Sequence, residues 1–122
     1  MPTLTPDTFS HVMLYVADTA RAVAWYREHF GFEPVYESPY YASVRHPGIG
    51  LSLGLHPVEQ GASVQHGDAA QVYFGVRDMD AAVAKLRAAG IVVDDPRSEG
   101  GSLRFAGFAD SDGNSLGLQE IA

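Results

Sequence analysis

The chain is written twice. Shifting His11–Arg27 (HVMLYVADTARAVAWYR) by sixty positions lays it on Gln71–Arg87 (QVYFGVRDMDAAVAKLR): Val12 meets Val72, Val16 meets Val76, Asp18 meets Asp78, Ala22-Val23-Ala24 meets Ala82-Val83-Ala84, and Arg27 meets Arg87. A repeat of this length constrains the fold more than any single element does, because whatever one copy forms the other must form as well. Two copies fill the 122 residues, so the expectation is a single domain (1–122) of two modules: module one at about 8–56, a connector at 57–70, and module two at about 71–121.

The elements inside each copy follow from periodicity. Val12, Leu14 and Val16 alternate with His11, Met13 and Tyr15, and Val72, Phe74 and Val76 alternate with Gln71, Tyr73 and Gly75, which is the period of a strand with two unlike faces. Asp18 and Asp78 then stand where a side chain can accept the free N–H groups of a helix start, and Gly31 and Gly90 stand where a helix stops in a positive-φ residue. Thr19, Val23, Tyr26 and Phe30 share one helical face, as do Met79, Val83 and Leu86; Trp25 falls opposite the first stripe. Shorter β-type segments follow: Phe32–Tyr36, Tyr40–His46 and Leu51–His56 in copy one, and Ile91–Asp94, Leu103–Ala109 and Asn114–Glu120 in copy two. His46–Gly50 and Asp110–Gly113 carry hairpin turn chemistry, while 57–70 is polar and aperiodic. Each copy therefore reads β-α-β-β-β. The fold class is α+β: two tandem βαβββ modules forming a curved mixed sheet with helices on its convex side.

Composition narrows the function classes. A formal net charge of −7 with eight scattered Lys and Arg gives no cationic stripe for phosphate, which argues against a nucleic-acid partner. No apolar run approaches the roughly eighteen residues of a membrane span, and the opening residues lack a basic and apolar export signal, so no membrane partner and a cytoplasmic location are expected. With no cysteine, thiolate metal sites and cysteine nucleophiles are excluded.

In order, His11-Val-Met-Leu-Tyr-Val, Trp25-Tyr26 followed by Gly31-Phe32, Asp80–Gly90 on the second helix, and Asp110-Ser-Asp-Gly-Asn114 before the last strand resemble the landmarks of the glyoxalase / bleomycin-resistance / extradiol-dioxygenase group, the vicinal oxygen chelate superfamily. The likeness covers essentially the whole chain; Ser111 replaces the usual proline of the last landmark. In metal-dependent members the resemblance implies a divalent cation held by the first and last strands of each module. Carried over position by position, those places are His11 and Gln71 on the first strands, and Gly54 and Gly117 on the last strands, where a glutamate is usual. The repeated tetrapeptide SLGL, at Ser52–Leu55 and Ser115–Leu118, thus puts glycine at both carboxylate places.

One imidazole and one amide carry no negative charge and fall short of the roughly three ligands a catalytic cation needs. His56 and Gln119 lie two residues beyond the glycines, about 6.6 Å along the strand. His66 and Asp68 in the connector lack a third partner at fixed spacing. No metal and no cofactor is therefore expected, and catalysis is left open, with binding favoured. The expected ligand-binding residues are His11, Met13, Tyr15, Tyr41, Arg45, Ser52, His56, Gln71, Tyr73, Ser115 and Gln119, which give apolar and aromatic walls with a few polar anchors. Tyr36, Tyr40, Tyr41 and Arg45 form an aromatic cluster suited either to stacking on a flat ligand or to a dimer rim. The reading is a metal-independent binder of a small organic ligand, an antibiotic or a metabolite, acting as a homodimer; the alternatives are a metal-dependent lyase, isomerase or dioxygenase of this group, and a non-catalytic dimeric interaction domain.

Overall fold

A computed structural model describes residues 3–58, 70–98 and 101–122. Most of the connector, including His66 and Asp68, lies outside the described residues. In chain order the elements are β1 (Val12–Val16), α1 (Thr19–Phe30), β2 (Glu33–Ser38), β3 (Tyr41–Arg45), β4 (Ser52–Pro57), β5 (Val72–Val76), α2 (Met79–Ala88), β6 (Phe105–Ala109) and β7 (Ser115–Glu120). They fall into two compact units, residues 1–57 and 58–122.

Both helices begin as the aspartates dictate. Asp18 is extended and its carboxylate accepts the Arg21 N–H at 2.9 Å; Asp78 does the same for the Ala81 N–H at 3.0 Å. A cap of this kind contributes about 1 kcal/mol. At the other end of α1, Gly31 turns left-handed (φ 74°), which lets its N–H reach the Arg27 carbonyl and the Phe32 N–H reach the Tyr26 carbonyl. Helix α2 closes one residue before its glycine, on Ala89, with Gly90 taking the positive φ of 85°.

In the first unit the strand order is β1-β4-β3-β2, with β1 parallel to β4 and the remaining pairs antiparallel. Thr19, Ala22, Val23 and Tyr26 of α1 are buried, and α1 packs against β2, β3 and β4. Around them Val16, Phe32, Ala42, Val44, Leu53 and Leu55 complete the core, and Tyr26 meets Phe32 edge-to-face at 5.6 Å. Each such fully buried apolar side chain contributes about 1.5–3 kcal/mol. In the second unit the order is β5-β7-β6, again with a parallel first–last pair, and Met79, Val83 and Leu86 of α2 are buried together with Phe74, Val93, Ala106, Phe108, Leu116 and Leu118. The alternation read from sequence holds on β1 and β5, where His11, Met13, Tyr15, Gln71, Tyr73 and Gly75 are exposed while Val16 and Phe74 are buried; on β4 and β7 three successive residues, Leu53–Leu55 and Leu116–Leu118, are buried, because neighbouring side chains cover the glycine at the centre of each.

One expected strand does not form. Ile91–Asp94 makes only an isolated bridge, Val93 to Phe108, and a second one follows at Arg97 and Phe105. Pro96 lies between them, and a residue with no N–H cannot donate to a ladder, so this segment hugs β6 without becoming a regular fourth strand. In the first unit the matching strand β2 is intact but bulged: the register shifts between Pro34 and Tyr36, leaving Val35 without a partner.

Candidate functional site

The strand face turned away from α1 carries the expected residues of the first unit. At its middle lies Gly54, paired across the ladders with Met13 on one side and Ser43 on the other. Gly54 is buried although it has no side chain, because its neighbours cover it. A Cβ placed on it would stand 2.5 Å from Tyr41 Oη and 3.0 Å from His11 Cδ2. His11 is exposed, and its Nδ1 shares a 2.7 Å hydrogen bond with Ser10 Oγ; His56 Nδ1 lies 2.7 Å from the Pro57 carbonyl.

Four rings, one from each strand, line up across this face. Tyr36 (β2) lies 6.5 Å from Tyr41 (β3), Tyr41 lies 6.5 Å from His56 (β4), and His56 lies 5.7 Å from Tyr15 (β1), centroid to centroid. Tyr15 and Tyr36 remain 52% and 56% exposed, and Met13 beside them 41%, so the row is an open aromatic surface rather than core. Arg45 and Ser52, paired in register, belong to the same strand face but to its other end, about 13 Å along β4 from His56, and do not join the row.

In the second unit the first-strand place is already engaged. Gln71 donates its amide N–H to the Leu116 carbonyl (2.9 Å) and accepts from Tyr73 Oη (3.0 Å). The Tyr73 ring covers Gly117, its direct cross-strand partner; a Cβ there would stand 2.6 Å from Tyr73 Cδ1. The two modules cover equivalent glycines differently: the counterpart of Tyr73 is Met13, and the cover on Gly54 comes from Tyr41 on the opposite neighbouring strand. Ser115 is half-buried at the start of β7, and Gln119 turns its amide to the backbone carbonyls of Arg104 and Glu120 (3.3 and 3.1 Å). Beside it Arg104 bridges Asp80 and Glu120, each at 3.1 Å. Hydrogen bonds from the Arg104 side chain, then from its backbone N–H, hold the Glu120 carboxyl below its ordinary value, and those to Glu120 and Asp80 raise the guanidinium in turn.

Sequence reasoning missed one acidic group here. Asp94 Oδ2 lies 3.1 Å from where a Gly107 Cβ would stand, and Gln71 Nε2 lies 3.8 Å from the same point. A carboxylate therefore does reach this face, from a segment read as an ordinary strand. It does not complete a cation site: among the described residues no three His, Cys, Asp or Glu side chains come together as a metal would require. The donors that the superfamily would use do not fit a cation either. Gly54 and Gly117 offer no carboxylate, tyrosine atoms stand where one would begin, and both ends of the Gln71 amide are engaged.

Two hollows of the first unit, about 420 and 480 Å³, lie elsewhere, between α1 and β2. Both are lined by Ala20, Val23 and Glu37, and neither is lined by any residue of the strand face described above.

Each unit sets a helix on a mixed sheet whose first and last strands run parallel side by side, and a chain of two such modules in tandem is a paired-module α+β protein. The chain belongs to the Glyoxalase/Bleomycin resistance protein/Dioxygenase superfamily, whose model matches residues 8–118. It is 34% identical over 116 residues to a 4-hydroxyphenylpyruvate dioxygenase of Caenorhabditis briggsae, covering 80% of this chain but 30% of that protein's length. Among solved structures it is similar to TnmS3, an antibiotic binding protein from a Streptomyces species, with 28% identity, a TM-score of 0.67, and coverage of 93% of this chain and 98% of that one. The fold is shared with the fosfomycin resistance protein FosX of Listeria monocytogenes, at 21% identity, a TM-score of 0.77, and coverage of 97% and 93%. No helix among the described residues is long and apolar enough to cross a membrane.

Proposed function

We propose that this protein binds a small organic ligand without a metal, and that the ligand is flat and aromatic. The observation that carries this reading is the row Tyr36, Tyr41, His56 and Tyr15, four neighbouring rings on one exposed sheet face. Exposed apolar rings in a contiguous set favour a partner that removes them from water, and offset or edge contacts with a second ring add about 0.5–1.5 kcal/mol each. His11 and Tyr41, both at Gly54, supply polar atoms at the middle of the row. The likeness to an antibiotic binding protein agrees with this reading. The tyrosine cover on Gly54 and Gly117, and the engaged Gln71 amide, speak against the metal-dependent lyase, isomerase or dioxygenase alternative.

Calorimetric titration of the purified, chelator-treated protein with a panel of planar aromatic antibiotics and metabolites tests it. Saturable binding that falls at least about tenfold in Tyr15→Ala or Tyr36→Ala, both exposed and replaceable without unfolding, is the expected result. Binding that requires added divalent metal, or no binding by any planar compound, would overturn it.

A homodimer is the second part of the reading. Val35, Tyr40 and Ile49 are 67%, 81% and 63% exposed in the first unit, outside the row of four rings, and a second copy would cover them. Sedimentation at micromolar concentration checks this, and a strict monomer would exclude it.

A further inference from the structure

The segment that failed to become a strand aims two opposite charges at one spot. Asp94 and Arg97 are three residues apart, and in a regular strand an odd spacing sends two side chains to opposite faces. Here the bridges run from Val93 to Phe108 and from Arg97 to Phe105, so four steps on this segment match three on β6: one extra residue is inserted at Asp95-Pro96. The backbone bonds agree, with the Asp94 N–H on the Gly107 carbonyl (2.9 Å) and Arg97 and Phe105 exchanging both N–H bonds (3.0 and 2.8 Å). A one-residue bulge reverses side-chain phase, so Asp94 ends beside Gly107 and Arg97 over Phe105, both on the face that carries Gln71 and Tyr73.

The result is a niche of about 100 Å³ lined by Gln71, Tyr73, Asp94, Arg97, Phe105 and Gly107, among others. Its two charges are not paired directly with each other. The Arg97 guanidinium is held 5.1 Å from the centroid of the Phe105 ring, and no ion pair among the described residues joins it to Asp94. The neighbouring Asp95 is engaged by Arg87 at 3.0 Å. Gly107 leaves the floor bare, since a Cβ there would stand 3.1 Å from the Asp94 carboxylate. One carboxylate and one guanidinium thus flank a hollow that has room for only a few heavy atoms.

We infer that this niche binds the head group of a small zwitterion, an ammonium against Asp94 and a carboxylate against Arg97, as in an α-amino acid. A cation alone would leave Arg97 facing a like charge, and an anion alone would meet Asp94. A molecule carrying both signs satisfies each with a charge-assisted hydrogen bond. The inference stands on the second unit by itself and goes beyond the aromatic reading above.

Titrating the isotopically labelled full chain with glycine, and separately with acetate and methylammonium, tests it by amide chemical shifts. The expected result is a saturable shift of the Ala106 and Gly107 amides with glycine, with either single-charge probe weaker by about tenfold or more. Asp94→Asn and Arg97→Gln, both at exposed positions, should each weaken glycine by about tenfold or more, the loss of one charged hydrogen bond, while Tyr15→Ala and Tyr36→Ala leave it unchanged. Glycine that produces no saturable shift, acetate or methylammonium that binds as tightly, or either charge variant that leaves glycine affinity intact would each overturn the inference. Because the aromatic panel and the Tyr15 and Tyr36 variants report on the other unit, failure there and failure here are told apart.

Discussion

The Tyr73 ring on Gly117 predicts a large cost for the smallest possible side chain. In Gly117→Ala the new Cβ would stand 2.6 Å from Cδ1 and 3.1 Å from Cζ of Tyr73, against an ordinary contact of 3.4–4 Å, so the ring must move by roughly 1 Å. The ring is not free to move, because its hydroxyl donates to Gln71, whose own amide is bonded to the Leu116 carbonyl on the glycine's strand. Overpacking of this kind costs about 1–3 kcal/mol. Replacing a strand glycine by alanine returns about 0.5–1 kcal/mol through lower chain entropy; with the ring pinned the upper half of the overpacking range applies, which leaves a net destabilisation of about 1–2.5 kcal/mol. In thermal unfolding followed by circular dichroism that is a fall in Tm of about 5–10 °C. The same substitution in a Tyr73→Ala background should be neutral or slightly stabilising, giving a coupling of at least about 1 kcal/mol in the double-mutant cycle. An unchanged or higher Tm for Gly117→Ala alone, or additivity of the two changes, would refute the reasoning.

Gly54→Ala should cost less, under about 1 kcal/mol, because its Cβ meets the tip of the Tyr41 side chain and the edge of an exposed imidazole, both able to swing aside; the pair of Tm values compares the two modules directly. Asp110→Ala should destabilise by about 1–3 kcal/mol in denaturant titration, since this buried carboxylate accepts the N–H groups of Asp112 and Asn114 and the Asn114 amide, each at 2.9 Å, and closes the last hairpin. Glu120 titrates below its ordinary value of 4.5 when folded, so the Arg104 pair contributes stability above that pH and loses it as the pH falls further; Arg104→Gln should flatten the Tm-against-pH curve below pH 4.5 and change its slope little near neutrality.

Much of this molecule was legible in the residues. The period of two in VMLYV and VYFGV assigned the buried and open sheet faces, and the aspartates and glycines around each helix placed its ends within a residue or two. The repeat revealed Gly54 and Gly117 as equivalent positions. What covers them was hidden, because Tyr73 sits on Gly117 through strand register while Tyr41 reaches Gly54 through its rotamer, and neither is a property of one segment. Asp94 and Arg97 escaped for a related reason: their common direction depends on how many residues of β6 they are paired with. The signal was Pro96, which an alternating reading of VVDDP passes over.

In each unit the first and last strands are hydrogen-bonded neighbours, β1 with β4 and β5 with β7. Neither sheet can therefore close until its own final strand has been synthesised: on the ribosome the first unit waits for Pro57, and the second waits for Glu120. Such sequence-distant parallel pairing raises contact order and slows folding. Over that interval β5 lies without its neighbour, and its apolar residues Val72, Phe74 and Val76 are the stretch most in need of protection from premature association.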